Sequence, residues 1–285
     1  AGTGKTYIAI ETAKREASQG KKCVVVCRNA TLASFITSHL SGTGISVFDL
    51  NLIQGGNIQD QFDCMIIDEA QDVLDWTYFD RIFALLKGGV KNGRWRVFMD
   101  PNNQSGIYPD TDRAVISYLE DENPVPFNLT HNCRNTKDIV FNTQAYTGAD
   151  IGEVYSEISG IRVESDYYDH SRQEHVLLSE KLKEWLGSDI QAEDIAILTP
   201  LSIEKSCAQK VGAELKNLMQ PLEPNGLRKG KITLASVQDF KGLEEEYIAL
   251  VDLGEFDAES SRSIAELYVG MTRARKGLWL LIPDE

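Results

Sequence analysis

The fold is decided by the stretch Met65-Ile66-Ile67-Asp68-Glu69-Ala70-Gln71-Asp72. Three apolar residues run directly into two carboxylates, a pattern that predicts a buried strand delivering acids to its carboxyl end. Ligands of open α/β sheets bind at that edge. We therefore expect Asp68 to hold Mg²⁺, directly or through water, and Glu69 to polarise an attacking water molecule.

A phosphate site is predicted at the start of the chain, where the residues match the second half of a Walker A loop, G-x-x-x-x-G-K-[ST]: Ala1-Gly2-Thr3-Gly4-Lys5-Thr6. The backbone N–H groups of this loop and the N-terminus of the next helix would surround a β-phosphate. Lys5 would contact the β and γ oxygens, and Thr6 the magnesium. Each piece alone could be a turn or a solvated strand end. Together, in this order, they predict a P-loop NTPase that uses ATP and Mg²⁺.

Composition limits the class of protein. A chain of 285 residues with 42% hydrophobic content can build two domains. No apolar run approaches the ~18 residues that a membrane span needs, and no signal peptide is recognisable, so a cytoplasmic protein is expected.

The five cysteines lack C-x-x-C spacing and are expected to be free thiols, neither disulfides nor zinc ligands. A net charge of −14 argues against a basic coat for nucleic acid, although a local groove could still be positive.

Helical and strand patterns alternate along the chain, which predicts two tandem α/β domains with parallel sheets, residues 1–130 and 131–285. Strands are expected at 22–27, 62–67, 95–99, 126–129, 161–164, 195–199, 231–237, 247–253 and 277–282. Helices are expected near 5–18, 31–40, 76–87, 112–120, 136–147, 171–186, 204–218 and 264–273.

Further polar clusters stand in an order that resembles the UvrD/Rep-type superfamily 1 helicases over nearly the whole chain. The third motif of that family resembles Asp100-Pro101-Asn102-Asn103-Gln104-Ser105-Gly106-Ile107-Tyr108, and the fourth resembles Leu129-Thr130-His131-Asn132-Cys133-Arg134-Asn135. The fifth resembles Ser236-Val237-Gln238-Asp239-Phe240-Lys241-Gly242-Leu243-Glu244. The sixth resembles Leu267-Tyr268-Val269-Gly270-Met271-Thr272-Arg273-Ala274-Arg275. The resemblance implies two RecA-like domains with a nucleotide cleft between them.

Nucleotide-site roles follow for four of these residues. Gln104, at a strand end, can hydrogen-bond a γ-phosphate or its attacking water. Arg134 and Arg273 are candidate arginine fingers, because guanidinium groups that reach the γ-phosphate neutralise transition-state charge. Glu244 resembles the family's ribose-binding residue, and it could equally be a solvated acid.

A nucleic-acid track is implied by the same resemblance. Single-stranded DNA would be held by phosphate contacts from loops near Arg28 and Asn29, and near Ser236 and Gln238, without sequence preference. Tyr108 is a candidate for stacking on a DNA base, and a core tyrosine is an equally good interpretation.

The sequence leads to an ATP-dependent single-stranded DNA translocase, with 3′→5′ movement expected from the resemblance. The chain opens inside the Walker A loop, so we expect a fragment of a longer protein with an upstream domain or partner. The alternative is a nucleotide-switched binding or effector-gating module that hydrolyses ATP without translocating. The acidic composition, the lack of the family's large insertions and Asp110 in place of a stacking aromatic favour that alternative.

Overall fold

A computed structural model of the chain describes residues 1–56, 58–100, 113–155, 160, 162–169, 171–223, 229–255 and 260–284. Within those ranges, the side chains of residues 113, 171, 172 and 255 are not described. The chain divides into two compact units. The first unit is Thr3–Thr130, and the second unit combines Ala1–Gly2 with His131–Glu285.

The first unit contains a parallel sheet with the strand order β2-β1-β3-β4. Its strands are β1 (Cys23–Cys27), β2 (Ser46–Asp49), β3 (Cys64–Ile67) and β4 (Arg94–Val97). Its helices are α1 (Lys5–Ser18), α2 (Ala30–His39), α3 (Leu50–Gly55), α4 (Trp76–Ala84), α5 (Gly89–Asn92) and α6 (Arg113–Glu120).

Both faces of this sheet are covered, which is why its central strands are apolar throughout. Val24 and Val26 pack into one core cluster with residues of α4, while Val25 and Cys23 pack into another with residues of α1 and α2. Alternate residues of one strand thus fill two cores. The sheet edge at the carboxyl ends of β1 and β3 is therefore held firmly on both sides.

The second unit contains a parallel six-stranded sheet with the order β7-β12-β11-β8-β10-β9, and a small parallel pair, β5 with β6. Its strands are β5 (His131–Asn132), β6 (Glu153–Val154), β7 (Glu164–Tyr168), β8 (Ile195–Thr199), β9 (Met219–Pro221), β10 (Ile232–Ser236), β11 (Glu245–Leu250) and β12 (Ala274–Pro283). Its helices are α7 (Lys137–Thr147), α8 (Ser171–Gly187), α9 (Ala213–Leu218) and α10 (Ser261–Met271).

Some predicted elements are wrong. Residues 126–129 form no strand, and Pro126 lacks the N–H that a ladder needs. The helix expected over 204–218 is broken into two 3₁₀ turns, Ile203–Lys205 and Cys207–Lys210, followed by α9. The backbone N–H of Cys207 donates to a carboxylate oxygen of Asp252 at 2.8 Å instead of continuing a helix. The strand expected at 161–164 overlaps β7, Glu164–Tyr168, at one residue only. The elements that were not expected are β2, β5, β6, β9, α3 and α5.

No helix in the described ranges combines the length and the apolar character that crossing a membrane requires.

Candidate nucleotide-binding site

Asp68 follows β3 at the carboxyl edge of the first sheet, between the ends of β1 and β4. Its backbone N–H donates to the carbonyl of Val26 at 2.9 Å, so its position is fixed by the sheet. The Asp68 side chain is fully buried, and neither carboxylate oxygen has a hydrogen-bond partner of ordinary geometry among the described residues. Buried polar atoms are nearly always satisfied in folded proteins, so these oxygens need a ligand.

The electrostatics of Asp68 point to a cation as that ligand. Burial, and then the charge of Glu69, raise the pKa of Asp68 to about 7, while the Thr6 hydroxyl and the Lys5 ammonium act in the opposite direction. Hard divalent cations prefer carboxylate and hydroxyl oxygens. Thr6 and Asp68 therefore offer oxygen atoms of the kind that Mg²⁺ prefers, and their binding of Mg²⁺ stays a prediction.

Glu69 has a backbone conformation that is rare for a residue with a side chain. Its φ of 49° and ψ of 49° lie in the left-handed region, where a non-glycine residue costs about 1–3 kcal/mol. The strain is held because the next residue, Ala70, donates its N–H to the carbonyl of Phe98 at 2.9 Å and begins a 3₁₀ turn, Ala70–Asp72. Glu69 is half-buried, unlike Asp68. The two adjacent carboxylates thus have different surroundings and can perform different tasks.

The phosphate loop leads into α1, which begins at Lys5. Gly2 and Gly4 both have left-handed φ values, 69° and 82°. At Gly2 a side chain would also collide with Asn132, whose Oδ1 lies 2.6 Å from the place of a Cβ. The first turn of α1 contains no acidic residue. An uncapped helix N-terminus with open N–H groups is suited to an anion such as phosphate.

Lys5 forms an ion pair with Asp100, whose Oδ2 lies 3.5 Å from the Lys5 Nζ. Asp100 follows β4 and is buried, and its backbone N–H donates to Gln71 Oε1 at 3.0 Å. The amide nitrogen of Gln71 in turn donates to a carboxylate oxygen of Glu69. A continuous polar chain therefore joins the candidate phosphate-binding lysine to the candidate base.

Gln71 and Asp100 were not predicted as site residues. Each stands a few residues beyond the end of a buried or half-buried strand, at the same sheet edge as Asp68. This position after the end of a strand was the feature of the sequence that could have identified them as site residues. What the sequence does not reveal is that one amide side chain serves both Glu69 and Asp100.

In the second unit, three separate sequence motifs meet in one polar cluster. The Arg134 Nε donates to a carboxylate oxygen of Glu244, and its Nη1 donates to the carbonyl of Thr272 at 3.3 Å. Asn135 Nδ2 donates to the carbonyls of Thr272 and Ala274 at 3.2 and 2.6 Å. Although burial raises the pKa of Glu244, Arg134 and then Arg275 and Arg273 hold it below the ordinary value. Glu244 is therefore a charged partner of arginines rather than a freely solvated acid.

Arg273 is buried within the same unit, with 3% of its surface exposed. Its Nε donates to the carbonyl of Val269 at 3.1 Å, its Nη1 to the carbonyl of Leu243 at 3.2 Å and its Nη2 to the Thr272 hydroxyl at 3.1 Å. These bonds tie α10 to the segment before β11. The guanidinium group therefore has a structural function in addition to any contact with a nucleotide.

The residues predicted to contact nucleic acid have local structural tasks as well. Asn29 is the N-cap of α2, and its Oδ1 accepts the N–H of Leu32 at 2.8 Å. Arg28 Nη1 donates to the carbonyl of Asp72 at 3.4 Å. The Ser236 hydroxyl donates to Asp239 Oδ2 at 2.7 Å, and Gln238 is exposed in the turn after β10. Their contact with a nucleic acid stays a prediction.

Gln104 and Tyr108 lie outside the described residues, so their predicted contacts with phosphate and with a DNA base stay predictions.

Comparison with known proteins shows what the chain resembles in three dimensions. No family model and no curated protein matches the sequence. The structure of the PRRSV helicase matches with a TM-score of 0.55 and 14% identity over 98% of this chain. Arterivirus nonstructural protein 10, also a helicase, matches with a TM-score of 0.51 and 13% identity over 99% of this chain. The chain shares the fold of these two helicases.

This shared fold confirms the predicted α/β architecture with RecA-like parallel sheets. The assignment to superfamily 1, and within it to the UvrD/Rep type, stays a prediction. The chain spans 50% and 57% of the length of the two helicases. The match therefore shows a shared fold and does not by itself show a shared activity.

Proposed function

We propose that the chain is an ATP-hydrolysing motor of the superfamily 1 type that moves along single-stranded nucleic acid. The observation that carries this proposal is the buried, unsatisfied carboxylate of Asp68 beside Thr6, at the same sheet edge as Lys5 and Glu69. A metal-dependent phosphate chemistry explains all four residues, whereas a purely structural role leaves the oxygens of Asp68 unexplained.

In the proposed reaction, Thr6 and Asp68 hold Mg²⁺. When bound, Mg²⁺ would supply positive charge to the β- and γ-phosphate oxygens. Lys5 exchanges Asp100 for a phosphate oxygen, and the backbone of Gly2, Thr3 and Gly4 contributes N–H groups. Glu69 takes a proton from the attacking water and returns it to solvent.

The second unit contributes charge in this proposal. Arg134 and Arg273 neutralise the γ-phosphate in the transition state, Gln104 responds to its presence, and Glu244 bonds the ribose. The ion pair of Arg134 with Glu244 gives the arginine a defined position before nucleotide binds. A motor of this type gains from such preorganisation because little side-chain entropy is then lost at the reactive moment.

The proposed track is single-stranded DNA, held through Arg28, Asn29, Tyr108, Ser236 and Gln238, with 3′→5′ movement and a UvrD/Rep-type mechanism. A cytoplasmic location fits the composition. The supporting observation for phosphate contacts is that Gln238 is exposed on a turn anchored by the Ser236–Asp239 hydrogen bond. A nucleic-acid backbone would approach such a turn without reading bases.

The test is the ATPase rate of the full-length protein with single-stranded DNA, single-stranded RNA or no nucleic acid. We expect stimulation by at least one single strand, with DNA the stronger. Stimulation by RNA alone would reject DNA as the track. Hydrolysis that neither strand changes would reject the motor and support the nucleotide-switched module, which the net charge of −14 favours.

A further inference from the structure

The second unit contains a buried cluster of possible metal ligands that the proposed function does not use. Its members are Glu174 on α8, Cys207 in the 3₁₀ turn before α9, and Asp252, two residues after β11. One ligand atom of each residue lies within 4.8 Å of the others. All three side chains are more than nine-tenths buried, with exposed fractions of 7%, 2% and 6%.

Glu174 provides the observation that points to a ligand. The Tyr168 hydroxyl bonds its carboxylate, but its Oε1 is buried and has no hydrogen-bond partner among the residues that the structure describes. A carboxylate oxygen without a partner is rarely tolerated in a protein interior. Lys210, the cation that acts on both Glu174 and Cys207, has an exposed side chain, so its charge is screened by water.

Two hydrogen bonds hold the Asp252 carboxylate in place. Its Oδ1 accepts the N–H of Cys207 at 2.8 Å, and its Oδ2 accepts the hydroxyl proton of Ser206 at 2.6 Å. Each oxygen keeps a second lone pair. The bond from Ser206, which lies outside the ligand set, is of the kind that orients the ligands of metal sites and increases their affinity.

We propose that Glu174, Cys207 and Asp252 bind a divalent transition-metal ion of the zinc type. The thiolate favours Zn²⁺ or Co²⁺ over Mg²⁺ and Ca²⁺, which prefer sites made of oxygen alone. Three protein ligands leave one position of a tetrahedral ion open to water. The ion would tie α8, the turn before α9 and the end of β11 together.

Asp252 also lines a cavity of about 320 Å³ with Pro200, Leu201 and Leu253, at the carboxyl ends of β8 and β11. The proposal revises the expectation that all five cysteines are simple free thiols. Sequence inspection does not find the site because its ligands come from three distant elements and form no spaced Cys or His motif.

The experiment is a titration of the metal-free full chain with Co²⁺ in excess Mg²⁺, followed by absorption. A Co²⁺ ion bound to thiolate gives a charge-transfer band in the near ultraviolet, which an all-oxygen site cannot produce. We expect a band that saturates at about one Co²⁺ per chain and disappears on addition of Zn²⁺. Cys207→Ser should abolish it. Cys133→Ser, which removes the exposed thiol, should leave it unchanged.

Glu174→Gln gives an independent test, because it keeps the size of the side chain and removes the anionic ligand. We expect its Co²⁺ affinity to fall at least tenfold with an unchanged circular dichroism spectrum. If Cys207→Ser does not fold, this variant decides the question. Absence of the band in the unmodified chain, its persistence in Cys207→Ser, its loss in Cys133→Ser, or an unchanged affinity in Glu174→Gln would overturn the proposal.

Discussion

Glu16, near the C-terminal end of α1, offers a quantitative test of how the phosphate-binding helix is attached to its sheet. The side chain is 2% exposed. Arg94 of β4 binds both of its carboxylate oxygens, with distances of 2.8 and 2.6 Å, and Lys21 binds it as well. The pair links the helix that begins with Lys5 to the strand that leads to Asp100.

The contribution of this ion pair to the free energy of unfolding follows from the pKa of Glu16. The hydrogen bond from Arg94, opposed by burial and assisted by Lys21, lowers this pKa from 4.5 to about 2. The difference corresponds to roughly 3 kcal/mol at neutral pH. The Arg94 side chain is half exposed, so solvent screening reduces the contribution to about 2 kcal/mol. Glu16→Gln should therefore lower the free energy of unfolding of the first unit by about 2 kcal/mol.

Because the folded-state pKa of Glu16 is depressed, its ion pair stabilises the protein less at low pH than at neutral pH. The contribution is fully present above the unfolded pKa of 4.5 and is lost as the pH falls through the folded value of about 2. The difference between wild type and Glu16→Gln should therefore narrow steadily below pH 4.5. Hydrogen exchange of the amides of α1 and β4, measured from pH 7 downwards, reports this difference locally.

A matched control is available on the same helix. Glu11 pairs with Lys14 at 2.8 Å, and its side chain is exposed, so Glu11→Gln should change stability by less than about 0.5 kcal/mol. If Glu16→Gln were as mild as Glu11→Gln at pH 7, or if its effect persisted undiminished to pH 2.5, the ion pair would not anchor α1 as argued.

Four substitutions test the proposed site, each in the full-length protein. Glu69→Gln should leave ATP binding near normal and reduce turnover at least tenfold; a smaller loss would assign the base elsewhere. Asp68→Asn should weaken Mg²⁺-dependent nucleotide binding, measured by calorimetry with and without Mg²⁺. Gln71→Met, which removes both hydrogen bonds at constant length, should lower kcat about tenfold with little change in nucleotide affinity. Arg134→Lys should reduce kcat more than affinity, because a fork of donors is replaced by a point charge; equal losses in both would indicate a binding role alone.

Much of the fold could be predicted because its central strands are continuous apolar runs. Residues 195–199 form β8 as expected, and the helix expected to end near Ser18 does so. Such strands are buried on both faces, and few other structures bury an uninterrupted run of that length. The short elements were not predicted. β2 spans only Ser46–Asp49 and is half-buried, so its pattern is too short to distinguish from a loop.

The break in the helix expected over 204–218 has a cause that lies far away in the sequence. Its apolar spacing is helical, but Asp252 accepts hydrogen bonds from Ser206 and Cys207 and holds the chain in a 3₁₀ turn. A tertiary contact from the end of β11 therefore overrides local propensity. No window of sequence around residue 206 contains that information.

Site residues on strand ends were predictable because parallel strands bring their carboxyl ends to one edge. Asp68 was predicted on this ground, and Asp100, which was not predicted, follows the neighbouring strand of the same sheet. The conformation of Glu69 was not predictable, because nothing in a single sequence reports a left-handed φ at a glutamate. The Arg134–Glu244 ion pair was also beyond reach, since each residue was assigned separately to a nucleotide.

The polar chain in the first unit suggests how phosphate and base are coupled. In the proposed mechanism, a phosphate oxygen would compete with Asp100 for the charge of the Lys5 ammonium group, which now lies 3.5 Å from Asp100 Oδ2. Any shift of Asp100 would act on Gln71, because the backbone N–H of Asp100 donates to Gln71 Oε1. The side-chain nitrogen of Gln71 donates in turn to the Glu69 carboxylate. In the proposed mechanism, phosphate binding at Lys5 would therefore have a short, hydrogen-bonded route to Glu69, the carboxylate proposed to activate water.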